Sequence, residues 1–178
     1  MKKLSFLSLI TLGFLTLQSC ADFPTTKVNI DFSLTLNANS TTTTFSSTDV
    51  LNANNSSDFD KYRQKINSLS IERVTYTINS SSLPAGTVLT NGKIEYVGKS
   101  GNATLLSLTN FDVNGNLGKE LDIQSPPQAA LEEIAQLLRG APNAVTVLVS
   151  GTTNKAPIAS TITLKFYTKA VARLIGKN

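Results

Sequence analysis

The sequence has no histidine, no tryptophan and a single cysteine in 178 residues. Each absence excludes a kind of chemistry. Without histidine there is no imidazole acid or base, no His-based triad and no His metal ligand. One cysteine cannot make an internal disulfide, a CxxC redox pair or a Cys-cluster zinc site. Without tryptophan the largest stacking surface for sugars or bases is missing. Serine, threonine and asparagine are plentiful instead: 19, 22 and 16 residues, about a third of the chain.

The length fits one domain, long enough to bury a core without staples. The net charge is +4, and Lys2 and Lys3 supply two of those charges. Without them 14 bases face 12 acids, leaving +2. No dense basic stripe is interleaved with aromatics, so nucleic acid is not an expected partner.

The N-terminus reads MKKLSFLSLITLGFLTLQSC. Lys2 and Lys3 form a positive leader. Leu4 to Leu17 is a Leu-, Phe- and Ile-dominated run, the length of a signal-peptide core and short of the roughly 20 residues of a spanning helix. It ends in Leu17-Gln18-Ser19-Cys20. This resembles the lipobox of bacterial lipoproteins: aliphatic at minus three, small at minus one, then cysteine, with Gln18 at the permissive position. The resemblance covers these 20 residues alone. It implies a diacylglyceryl group on the Cys20 thiol, cleavage before Cys20 by a lipoprotein signal peptidase, and further acylation (palmitate, for example) of the new amino terminus. Two or three acyl chains anchor firmly, since each buried methylene contributes roughly 0.8 kcal/mol. Ala21, not Asp, follows Cys20, which resembles the outer-membrane sorting pattern more than inner-membrane retention. The implied location is the cell envelope, lipid-anchored, at a periplasm-facing or surface-facing leaflet. The expected division is a signal peptide at 1–19, a lipidated tether at 20–27 and a β domain at 28–178.

The β domain rests on period-two patterning. Val28, Ile30, Phe32, Leu34 and Leu36 alternate with polar residues, predicting a half-buried strand. The polar segment 38–57, with Thr41 to Thr44, reads equally as an edge strand or a loop. Asp58 is a candidate cap for a short helix with Phe59, Tyr62 and Ile66 on one side. In 69–79 the apolar phase shifts between Ile71 and Val74, which predicts a β-bulge near Glu72–Arg73. Asn91-Gly92 and Asn114-Gly115 each predict a type I′ hairpin turn, because both central residues there need positive φ. Gly98 to Asn102 is a further tight connection. A helix is predicted at 126–139, started by Ser125-Pro126-Pro127 and stopped by Gly140, with Ala130, Leu131, Ile134, Leu137 and Leu138 as its apolar stripe. Val145, Val147 and Val149 mark another strand. Ile158 to about Ile175 alternates as the longest one. Seven or eight short strands with no βαβ rhythm predict an all-β antiparallel sandwich with one inserted helix. The immunoglobulin-like label is analogy only, because the Cys pair and core Trp of that fold are missing. A barrel curled around the helix is the other architecture.

No motif asks for catalysis, a metal or a cofactor. Gly98-Lys99-Ser100 looks like the tail of a phosphate loop, but position 93 is Lys, not Gly, and a strand follows instead of a helix. Asp112, Asn114 and Asn116 resemble the start of a calcium loop, but Leu117 and Ile123 stand where its Gly and Glu belong. Glu132 and Glu133 point about 100° apart on a helix and cannot flank one bond; they read as exposed helix-start acids. No G-x-S-x-G elbow occurs. Lys99–Ser100 is the one local Ser–Lys pairing. Tyr62, Tyr76, Tyr96 and Tyr167 are scattered.

The expected function is therefore a non-enzymatic lipoprotein, a structural or protein-interaction module held by Cys20. The alternative is a carrier of a hydrophobic ligand or glycan, with the 126–139 helix closing a cavity between sheets.

Overall fold

The structure, a computed structural model, describes residues 24–174. It is an all-β antiparallel sandwich, with nine strands among the described residues. One sheet, A, contains β1 (Thr25–Asn29), β2 (Phe32–Ser40), β4 (Ile66–Ser82), β7 (Glu120–Asp122) and β9 (Ile158–Arg173). The other, B, has the order β3 (Thr44–Asn52), β8 (Ala144–Thr153), β5 (Val88–Gly98), β6 (Gly101–Asp112). Two helices interrupt the strands, α1 (Ser57–Tyr62) and α2 (Gln128–Arg139).

The strand β9 organises sheet A. Its even residues from Ile158 to Ala172 are buried without a break, and its odd ones through Val171 are only partly covered. On one side it pairs with β4. On the other it pairs with β1 and β2 in one continuous register, Thr25 opposite Arg173 and Ser40 opposite Ile158. The predicted strand at 28–37 is thus a longer ribbon, nicked at Ile30-Asp31. Its pairing starts at Thr25, inside the segment expected to be tether. Thr168 points inward at the nick, and its hydroxyl and carbonyl are both used by Ile30, so burial leaves no polar group unmet.

The phase shift in β4 is a register shift between Ile71 and Arg73, with Glu72 as the extra residue. It keeps both Ile71 and Val74 facing the core. At 17 residues β4 exceeds β9, at 16, so β9 is not the longest strand. The ambiguous 38–57 segment supplies β3, the edge of sheet B. The short helix is capped by Ser56, whose Oγ accepts the Phe59 amide at 3.3 Å, and not by Asp58. Phe59 is fully buried and meets Phe32 edge-on, with ring centroids 5.9 Å apart.

Both Asn-Gly expectations fail. Asn91-Gly92 lies inside β5, paired on both sides: Gly92 faces Gly151 of β8 and Leu108 of β6. Pairing from two neighbours outweighs a local turn preference, and glycine here serves close packing. The hairpin turn is Lys99-Ser100, between Gly98 and Gly101, with Gly101 at φ +111°. Asn114-Gly115 forms a 3-10 turn that carries the chain from sheet B to sheet A, since β6 pairs β5 and β7 pairs β4.

The predicted helix is α2, with Ala130, Leu131, Ile134, Ala135 and Leu138 buried and Leu137 at the rim. It begins at Gln128 with no side-chain cap; Ser125 has φ +49° and leads in instead. Gly140 ends it through an amide bond to the Gln136 carbonyl. The helix packs on β4 and β8 at one pole of the sandwich, where Arg139 Nη1 donates to the Asn67 carbonyl. The opposite pole carries the β8–β9 turn and Ser82 to Thr87. Over β9 the two poles lie about 50 Å apart, at roughly 3.3 Å per residue.

Candidate functional site

The lipobox residues Leu17, Gln18, Ser19 and Cys20 lie outside the described residues. Within them, three places concentrate chemistry.

The first joins α2 to the β5–β6 hairpin. Tyr96, 1% exposed, donates its hydroxyl to Glu133 Oε2 at 2.8 Å. Glu133 Oε1 accepts the Lys99 amide at 2.7 Å. Lys99 Nζ reaches Gln136 Oε1 at 3.2 Å. The expectation that Glu132 and Glu133 are both exposed first-turn acids therefore needs correction. They sit in the second turn, Glu132 receives a bond from Gln128, and Glu133 is half-buried as the clasp between helix and hairpin. The Lys99 amide bond, then the Tyr96 bond, hold the Glu133 carboxyl below the ordinary carboxylate range. Burial, then Glu133, push Tyr96 up to about 12. A phenol that resists ionisation and a carboxylate that resists protonation make a fixed bond, not a proton relay. The amine of Lys99 is turned to the helix, not to Ser100 for a Ser–Lys dyad.

The second is a polar cluster on the outer face of sheet A. Glu120 Oε1 accepts from the Tyr167 hydroxyl at 2.6 Å and from Thr75 Oγ1 at 2.8 Å. Those two bonds lower the Glu120 pKa. Arg73 spans Glu120 at 3.6 Å and Asp122 at 3.5 Å, with its guanidinium carbon 4.2 Å from the Tyr167 ring centroid; Lys165 Nζ lies 4.5 Å from the same centroid. This cluster staples the three-residue strand β7 to β4 and β9. Sequence reading missed it because its members are far apart in the chain, and only strand register brings them together. The outward phase of β4 and β9 was the available signal.

The third is an apolar slot between the sheets at the pole away from α2, with Tyr76, Ile78, Leu89, Leu108 and Ile162 in its lining. Its volume is about 40 Å3. No residue of α2 lines it, so the helix is not the closure that the carrier reading expected. Tyr76 belongs to this core, and burial raises its pKa.

The calcium-like residues serve the local backbone. Asp112 Oδ1 accepts the Gly115 amide at 3.0 Å, Asn114 Oδ1 accepts the Thr87 amide at 2.6 Å, and Asn116 Nδ2 donates to the Asp112 carbonyl at 2.8 Å. Gly98-Lys99-Ser100 is the hairpin turn already described.

No protein-family model matches the chain, and no curated protein does. Among solved structures, a chain of Desmodium yellow mottle tymovirus aligns with a TM-score of 0.40 at 12% identity, over 87% of this chain and 92% of that one. A chain of turnip yellow mosaic virus aligns with a TM-score of 0.39 at 14% identity, over 87% and 98%. Likeness at this level carries no functional inference.

Proposed function

We propose that the chain is a lipid-anchored envelope protein, held by acyl groups on Cys20 at a bacterial membrane, the outer one in preference to the inner. The sandwich acts as a non-enzymatic structural or protein-interaction module. One observation carries this reading: the only cysteine follows Leu17-Gln18-Ser19 at the end of the long apolar run. The fold is compatible with it, since strand pairing begins at Thr25, five residues after Cys20. The non-enzymatic part is supported by the lack of histidine and by polar clusters whose groups are bonded to one another. The carrier alternative has the slot in its favour, but about 40 Å3 is far below the roughly 300–1,000 Å3 of ordinary ligand sites.

Metabolic labelling with a fatty acid tests the anchor. The wild-type chain takes up label and is cut before Cys20, whereas Cys20→Ala stays full-length and unlabelled. A Cys20→Ala chain that is processed and labelled like the wild type would overturn the reading.

A further inference from the structure

We infer that the corner of sheet A around Lys27, Lys65 and Leu174 rests on anionic lipid headgroups, so that the sandwich stands with its α2 pole toward the membrane and the apolar slot away from it. The inference rests on the anchor reading above.

Chain geometry comes first. The Leu174 amide donates to the Pro24 carbonyl at 2.7 Å, so both ends of the described chain leave from one corner. Pro24 stands four positions after Cys20, a span of at most about 14 Å when extended. Acyl groups on Cys20 therefore hold this corner close to the headgroups, while the far pole lies about 50 Å along β9.

The corner's chemistry is independent of that tether. Lys27 is exposed on the outer face opposite Val171, and Lys65 directly precedes Ile66, which pairs with Ala172. Neither lysine makes a hydrogen bond or ion pair among the described residues. Leu174, beside them, is 49% exposed. Glu72 is already taken by Lys169 at 2.7 Å, and Asp60 by Arg63 at 3.7 Å. Toward the far pole Lys119 donates to the Gly115 carbonyl and Lys155 to that of Ala85, which leaves Lys93, on the outer face of β5, as the single exposed lysine beside the slot among the described residues. Uncommitted cations beside an exposed leucine, at the point where the tether enters, fit an anionic interface.

The test uses the full acylated protein in vesicles of phosphatidylcholine, with or without a quarter phosphatidylglycerol, containing a headgroup quencher. Cys20 is the only native cysteine and its thiol is alkylated, so an introduced cysteine is the single labelling site. A fluorophore on Ser68→Cys, in the same rank as Lys27, is expected to be quenched several-fold more than one on Thr42→Cys at the far pole. Phosphatidylglycerol strengthens that difference. Lys27→Glu with Lys65→Glu abolishes the strengthening, and the milder Lys27→Gln with Lys65→Gln weakens it, each with an unchanged circular dichroism spectrum. Equal quenching at both labels, or no response to phosphatidylglycerol or to the lysine changes, overturns the inference while leaving the anchor standing. Mass spectrometry of the same samples reads the anchor: an unacylated chain overturns both.

Discussion

Tyr96 donates to Glu133 at 2.8 Å across the joint between β5 and α2, and its ring is buried in the core. Replacing Tyr96 with Phe keeps the ring and removes the bond. The expected cost at neutral pH is about 1 kcal/mol, the net worth of such a bond, and up to about 3 kcal/mol where the stranded partner is charged. The pH dependence has two limbs. Tyr96 is raised from 10 to about 12, so its contribution is whole below pH 10 and is lost as the pH rises through that interval. Glu133 is lowered from 4.5, so its contribution is whole above that value and is lost as the pH falls through its folded pKa. Urea unfolding across pH should show Tyr96→Phe with a flatter alkaline limb than the wild type. Parallel curves would mean the bond is not made in solution.

Asn91 and Gly101 give a test of where the β5–β6 hairpin turns. Asn91 faces outward in mid-strand, a position that suits a β-branched residue, so Asn91→Thr should change stability by no more than about 0.5 kcal/mol. Gly101 sits at φ +111° with open space where a Cβ would stand, so Gly101→Ala meets backbone strain alone, costing about 1–3 kcal/mol. Denaturant midpoints compare the two directly. The reverse order would return the turn to Asn91-Gly92.

How far the sequence revealed the fold depends on whether the cause was local. The alternation from Val28 to Leu36 and from Ile158 onward is a property of single strands, and it marked the buried face correctly. The bulge at Glu72 was legible because a phase shift is written in the residues themselves. Asn91-Gly92 misled because the pairing that keeps it extended comes from Gly151 and Leu108, distant in the chain. Glu133 looked like a solvated acid because its donors, Tyr96 and Lys99, arrive only with the hairpin. The Arg73–Tyr167–Glu120 cluster had no sequence motif, since it exists only once β4 lies between β7 and β9.

Gly151 marks a close approach that a side chain would spoil. A Cβ there would lie 2.8 Å from the Asn91 carbonyl oxygen and 2.9 Å from both Leu89 Cδ1 and Phe45 Cε1. The leucine and phenylalanine ends can move, but the carbonyl is fixed by the sheet. Gly151→Ala should cost about 1–3 kcal/mol, the range for overpacking a core. A thermal melt that matches the wild type would show that β8 and β5 can part at this rank without loss.

The apolar slot gives the sharpest separation between a module and a carrier. Its walls, Leu89 and Leu108 from sheet B and Ile78 and Ile162 from sheet A, stand close enough to leave about 40 Å3. That is room for a water or two by volume, yet the lining is apolar and offers water little bonding. A ligand that binds only the folded state at a hundredfold excess over its Kd would add about 2.7 kcal/mol of stability. Long-chain fatty acid, added below its micellar range, should therefore leave the melting temperature of the protein unchanged within about 1 °C, because the slot has no room for a chain of that length. Leu89→Ala should cost about 2–5 kcal/mol by opening the slot. If fatty acid then restored part of that loss in Leu89→Ala but not in the wild type, the packed leucine would be what closes the space. A rise of several degrees in the wild type itself would mean that the sheets separate at this pole to admit a ligand, and the carrier reading would displace the module.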